Sequence, residues 1–382
     1  MLEQGRRNRI PVYEWMRVIA MGMVLCLHAN YQLGALADAG SPLTPTRVLG
    51  GFLESFAIIA VNVYVLISGY FLSKIPFRLS RLLRLWCEIL FYAALIPVVL
   101  RAFGVPISGT DIWSAATYVL PVSMNHYWFA TSYVWLVLLS PVLNAAAEHL
   151  SRRQLKAVLL GLLFVESFLP SISPVQLVSD NFGYDFSWFL VLYLTAAYLR
   201  RYGAGRFERG KRALPAYLGS CLGIFALYVA LHLVYERTGS LAWYMQVPFH
   251  YNFVLTYLAS VGFFAAFRRA KIPEGRASDF VMALAPETFG VYLIHQHVDV
   301  KDRWAGVLQR FFGEVSQTNP LRYLLEMLAA VVILYAVCAA IDWVRNKLFR
   351  AAERALSKTR PAAWIRRADA VFAERGDKEE SR

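Results

Sequence analysis

The stretch YEWMRVIAMGMVLCLHANYQ (residues 13–32) is nearly all apolar, yet it carries Glu14, Arg17 and His28. It is long enough to cross a hydrocarbon core of about 30 Å as a helix. An arginine at mid-helix costs about 2.5–3.5 kcal/mol on insertion scales. Arg17 and His28 are eleven residues apart, almost three full turns, so both lie on one face, about 16 Å apart along the axis. Glu14 precedes Arg17 by three residues, within pairing distance on the same stripe. Polar groups lining one edge of a membrane helix face the bundle interior or a water-filled cavity. Counted from Pro11, His28 lies 17 residues on, or about 25 Å. The plainer alternative is an interfacial Glu14–Arg17 anchor with a packing histidine.

The rest of the chain repeats this pattern. Its 382 residues are 58% hydrophobic, with mean hydropathy +0.44, above the roughly 45–50% apolar content of a soluble domain. The excess falls in long runs, and the period-2 pattern of a membrane β-barrel is absent. The expected fold is an all-α polytopic membrane protein of about ten transmembrane helices, near 11–33, 50–72, 82–103, 126–147, 155–171, 186–201, 213–236, 249–268, 279–299 and 321–344. The fifth is the shortest and stops at Pro170. No cleavable signal peptide is expected.

A net charge of +13 raises the question of nucleic acid, but its distribution excludes that reading. Arg6, Arg7 and Arg9 precede the first span. Basic clusters follow the second, fourth, sixth and eighth spans, and eleven Lys/Arg lie from Arg345 onward. The other side is sparse in Lys and Arg. This alternation follows the positive-inside rule and predicts both termini cytoplasmic in a multi-pass plasma (inner) membrane protein. The expected organisation is a cytoplasmic N-terminus (1–10), one membrane domain (11–344) and a basic cytoplasmic tail (345–382). The tail reads as helical, lying on the anionic inner leaflet or serving as a solubilising extension. The apolar segment IWSAATYVLPV in the loop 104–125 is too short to span and is expected to dip into the outer interface. Cys26, Cys87, Cys221 and Cys338 form no disulfide framework or zinc pattern. His295 and His297 diverge on a helix, so no metal site is expected.

Later segments carry further patterns: VNVYVLISGYFLSK with Ser68 and Tyr70, RLSRLLRL with Arg81 and Arg84, HYWF with His126 and Trp128, SPVLN, and ETFGVYLIHQ with Tyr292 and His295. Together with Arg-x10-His in the first span, in this order, they resemble acyltransferase family 3. These are bacterial integral-membrane acyltransferases that modify surface polysaccharides. The chain departs from the family in having Val-Tyr-Val-Leu-Ile where paired Phe often precedes Ser-Gly. Some members also carry a fused extracytoplasmic hydrolase-like domain. Here the membrane part is expected to complete the transfer itself or with a separate partner.

The resemblance implies an O-acyltransferase using acyl-CoA, most simply acetyl-CoA, as co-substrate, with no tightly bound cofactor. The implied acceptor is a surface carbohydrate or lipid-linked glycan; lipids are the surroundings, and a homo-oligomer is compatible. Arg17, Arg81 and Arg84, with Ser68 and Tyr70, would hold the donor, guanidinium forks suiting its phosphates. His28 would act with Arg17 at the reacting centre, as general base or through an acyl-histidine. Glu14, Asn62, His126, Trp128, Tyr292 and His295 are supporting or acceptor-side candidates, Asn62 as a donor to the oxyanion. Asp180, Tyr184, Asp185 and Trp188 are expected at the outer end of the sixth span, where aromatics and carboxylates suit a sugar; an ordinary interfacial belt is the alternative. The competing function is a membrane transporter of a small anionic or sugar substrate, although paired halves with broken helices are not seen.

Overall fold

The structure is a computed structural model, and it describes residues 9–205, 207, 211–312 and 319–373. Residues 1–8, with Arg6 and Arg7, and residues 374–382 of the expected tail lie outside them. Every regular element among the described residues is a helix. In chain order these are α1 (Pro11–Gln32), α2 (Pro45–Ala57), α3 (Ala60–Leu72), α4 (Leu79–Ala102), α5 (Ile112–Val119), α6 (Trp128–His149), α7 (Arg152–Leu163), α8 (Phe186–Tyr202), α9 (Ala213–Thr238), α10 (Val254–Phe267), α11 (Arg276–Leu284), α12 (Thr288–His295), α13 (Lys301–Phe312), α14 (Pro320–Leu356) and α15 (Arg360–Ala373).

Each of the ten expected spans carries a helix. Eight helical stretches among the described residues are long and apolar enough to cross a membrane, with α2–α3, α7 and its continuation, and α11–α12 each counting as one stretch. The other two, α8 and α10, have 17 and 14 residues and are largely buried within the bundle. Together they define a multi-pass membrane protein. Its two ends differ. The basic end holds the starts of α1, α4, α7, α9 and α11 and the ends of α3, α6, α8 and α10. The opposite turns form the far end.

Small residues and side-chain caps set the packing. A Cβ on Gly69 would come within 3.0 Å of Ala196 Cβ and of the Tyr193 Cα, so the glycine of Ser-Gly-Tyr lets α3 lie directly on α8. Asn144, from SPVLN, donates to the Leu72 carbonyl at the end of α3 (2.9 Å) and accepts from the Tyr193 hydroxyl (2.7 Å). Orphan carbonyls at a helix end need such partners.

The fifth span does not stop at Pro170. α7 continues through a π-helical turn, Phe164–Phe168, into a last turn, Leu169–Ile172. Proline has no N–H to give the carbonyl four residues back, and Asn252 Nδ2 serves the Glu166 carbonyl instead, at 2.9 Å. The last span also runs on: α14 has 37 residues, about 55 Å, and carries the first part of the expected tail. α15 then folds back onto the start of α4. Ser80 donates from N–H and Oγ to Asp369 (3.1 and 2.5 Å), and Phe372 packs edge-on against Phe77 at 4.8 Å. In the loop 104–125, Asp111 caps a short helix, α5, accepting from the Trp113 and Ser114 N–H groups.

Candidate active site

The site forms where the far parts of α1 and α3, the starts of α6 and α10, and α12 converge. A small, partly open pocket is lined by His28, Tyr64, Trp128, Tyr251, Phe289 and Tyr292 among others. Two predicted patterns, HYWF and ETFGVYLIH, therefore meet the histidine of the first. Along α1, the residues Tyr13, Arg17, Met21, Val24 and His28 follow steps of three and four, so they form one stripe. It runs from the basic end into the cavity over about 22 Å.

At the cavity's edge His28 pairs with His295. His28 Nδ1 lies 2.9 Å from His295 Nε2, and His295 Nδ1 lies 2.5 Å from the Val291 carbonyl. A carbonyl only accepts, so His295 carries its proton on Nδ1 and offers the Nε2 lone pair. His28 must then donate from Nδ1. Its Nε2 is left as a bare lone pair, with no hydrogen-bond partner among the described residues, on a ring that lines the cavity. The Trp304 indole, donating to the His295 carbonyl at 2.9 Å, holds the end of α12 in place. This pairing joins residues 267 apart in the chain, on two spans that both start at the basic end.

The other predicted residues are distributed around this centre. Arg17 Nη1 pairs with Glu14 at 2.6 Å, and the Arg17 carbonyl accepts from the Tyr64 hydroxyl at 2.7 Å. Asn62 spends both amide hydrogens, on the Tyr251 carbonyl (2.8 Å) and Ser260 Oγ (3.1 Å), and accepts from the Trp188 indole at 2.9 Å. It braces the wall behind Tyr251 and has no hydrogen left for an oxyanion. Trp188 is itself fully buried, which removes it from the sugar-facing aromatics. Tyr184 remains at the rim, with its ring 4.6 Å from Trp128 and 4.7 Å from Tyr251. Asp185 caps α8 by accepting from the Trp188 N–H, and Asp180 binds Asn252.

His126 faces away from the cavity. Its ring lies 4.6 Å from that of His297, and Tyr118 stacks on His297 at 6.1 Å. Both histidines fall just beyond the ends of α6 and α12, and burial pushes each imidazole down to about 4. His297 and His295 thus serve different neighbourhoods, as their spacing implied. Asp299 beside them accepts from Ser108 N–H and Oγ and from the Tyr118 hydroxyl, strapping α5 to the bundle.

At the basic end, Ser68 is half-buried on α3 and Tyr70 stacks on Tyr13 with ring centroids 5.4 Å apart. Arg84 pairs with Glu353 at 3.4 Å. Arg81 lies on the same exposed turn of α4, where α15 docks. Sequence reasoning missed Tyr251 and Phe289 as cavity walls and Arg200 and Arg268 beside Tyr70. Tyr251 lies in a short irregular stretch before α10, and no periodic signal points to it. No group of three metal-ligating side chains suited to an ion occurs among the described residues.

The chain is thus an all-α membrane bundle with a paired histidine at a pocket in its far half. Residues 10–343 match the family model described as acyltransferase domain, acyltransferase family 3. The chain belongs to this family and is an acyltransferase. No curated protein and no solved structure matched the chain.

Proposed function

We propose that the protein is an integral-membrane O-acyltransferase that moves an acyl group, acetyl in the simplest case, from acyl-CoA to a carbohydrate hydroxyl, with His28 as general base. The observation that carries this reading is the His28–His295 pair, whose one unspent lone pair, His28 Nε2, belongs to a ring lining the cavity. The basic end is taken as cytoplasmic, in an inner membrane, because it collects the Lys and Arg of the chain. The donor enters there and the acceptor from the far end, where Trp128, Tyr184 and Tyr251 present rings for a sugar face.

In the reaction the acceptor hydroxyl attacks the thioester carbon. His28 Nε2 takes the hydroxyl proton as the C–O bond forms, and the imidazolium keeps its Nδ1–H on His295. The tetrahedral oxyanion collapses, the C–S bond breaks, and the same proton passes from His28 Nε2 to the thiolate, giving ester and free CoA. His295 is a positioning residue: it fixes the tautomer that leaves Nε2 basic, the role an orienting third group plays in hydrolytic triads. Tyr292, whose hydroxyl lies against the Phe129 and Ala130 N–H groups, lines the cavity and is the proposed donor to the oxyanion. Arg17 lies on the donor's path along the α1 stripe. Ser68 and Tyr70 are the donor-side residues at its entrance, and Arg81 and Arg84 are donor-side candidates at the start of α4.

The test is label transfer from radioactive acetyl-CoA to surface glycan in membranes. Wild type is expected to label glycan and His28→Ala is not. Equal labelling by both would overturn the role of His28, and no transfer from acetyl-CoA by wild type would overturn the donor.

A further inference from the structure

At the basic end four helix ends meet around one phenol. The start of α1 brings Tyr13, the end of α3 brings Tyr70, the end of α8 brings Arg200, and Arg268 follows α10 directly. Tyr70 is buried. The Arg200 guanidinium carbon sits 4.5 Å from the Tyr70 ring centroid and that of Arg268 sits 5.5 Å from it. Arg268 Nη1 also donates to the Tyr70 hydroxyl at 3.3 Å. The two cations are therefore no more than about 10 Å apart. Arg200 is exposed and pairs with no carboxylate among the described residues.

Two guanidiniums are held against one ring by three helices, and Arg200 is the exposed one. Planar guanidinium forks match phosphate oxygens in two-point contacts. Tyr13, stacked on Tyr70, begins the stripe that continues through Arg17, Met21 and Val24 to His28. The axial span of about 22 Å is of the order of an extended pantetheine arm. Arg81 and Arg84 lie elsewhere, at the start of α4, with Arg84 on Glu353 and α15 docked beside them.

We propose that Arg200 and Arg268, aligned on Tyr70, form the site that holds the phosphate groups of the donor nucleotide and so sets the depth at which its thioester meets His28. The site rests on the acyl-CoA reading above. A phosphate can also belong to a lipid headgroup, and the experiment separates the two sources.

The protein is placed in phosphatidylcholine nanodiscs, and CoA binding is measured calorimetrically for wild type, Arg200→Ala, Arg200→Gln and Arg200→Lys, with thermal melting to confirm folding. One lost charge-assisted contact predicts that Arg200→Ala and Arg200→Gln bind CoA about 10- to 100-fold more weakly, with Lys recovering part of the loss. The preference in kcat/KM for acetyl-CoA over S-acetylpantetheine, which lacks the nucleotide, should fall by a similar factor. CoA binding equal to wild type in folded Arg200→Ala and Arg200→Gln overturns the site while leaving the donor reading intact. If Arg200 holds a lipid instead, the variants lose only a stimulation by added phosphatidylglycerol and keep CoA affinity, which also overturns it. No CoA binding and no transfer from acetyl-CoA by wild type overturns the donor reading and the site together.

Discussion

Two polar constellations sit inside this apolar bundle, and they are finished differently. In the basic half, Arg345 donates to Glu88 (2.6 Å) and to both oxygens of Asp342 (2.7 and 2.8 Å). Tyr92 donates to Asp342 at 2.6 Å, and Asn346 bridges Glu287 and Asp342. A Cβ on Gly290 would fall 1.9 Å from the Asp342 carboxyl, so the α12 backbone itself closes one side. Apart from Arg345 Nη1, which has no hydrogen-bond partner among the described residues, the donors are spent within the network. In the far half, the His28–His295 pair stops one bond short, its free lone pair on a ring that lines a cavity. A closed network ties helices together, whereas a network with an open valence at a cavity is poised for chemistry.

Removing the open valence should have the largest effect. His28→Ala is expected to cut acyl transfer by about 10²–10⁴-fold, the contribution typical of a positioned base, while the protein extracts and melts like wild type. A His28→Ala enzyme that retains most of its turnover would break the contrast. Opening the closed network should do the reverse. Arg345→Ala leaves Asp342 and Glu88 without their cation, a cost of about 3–5 kcal/mol for breaking a buried pair. The expected result is a large loss of folded yield and melting temperature in detergent, with turnover per folded molecule close to wild type. Normal stability with lost turnover would mean that this network, too, serves the reaction.

The two constellations also differ in how legible they were. Arg17 and His28 stood out because a helix period places them on one face, and Trp128, Tyr292 and His295 because they sit in patterns that resemble the family's. The closed network was invisible. Arg345 read as one of eleven tail cations, yet it is 2% exposed, and Glu88 lies 257 residues from it. No local period connects such partners. The same limit hid Arg200 and Arg268, which looked like ordinary inner-surface charges until the helix ends brought them to Tyr70. Span limits erred where side chains from elsewhere repaired the backbone, as Asn252 does at Pro170.

A finer test separates positioning from chemistry within the dyad. His295→Gln can still accept from His28 Nδ1–H through its amide oxygen, but the ring that fixed the geometry is gone. We expect kcat to fall about 10- to 100-fold, a fraction of the 10²–10⁴ assigned to the base, with KM for the donor unchanged and a displaced acid limb in the pH–rate profile. His295→Ala should fall further than His295→Gln. A uniform loss with an unshifted profile would make His295 a packing residue only.

The smallest effect is expected at the His126–His297 pair beyond the helix ends, which is not among the walls of the His28 pocket. His297 accepts from the Asp299 N–H at 3.1 Å and lies 3.3 Å from the Ala93 carbonyl, so its neutral form is fully used. Burial holds both imidazoles near pKa about 4 in the folded protein, against an unperturbed value of about 6.5. Between those values the unfolded chain binds more protons than the folded one, so stability rises with pH. It is complete above about 6.5 and is lost as pH falls toward 4. From pH 6.5 to 5.5 the buried His297 should cost on the order of 1 kcal/mol, seen as a lower melting temperature in detergent. His297→Gln, which cannot take up that proton, should flatten the slope without touching the His28 dyad. A slope unchanged in His297→Gln would place the acid sensitivity elsewhere, with the histidines of the cavity the next to test.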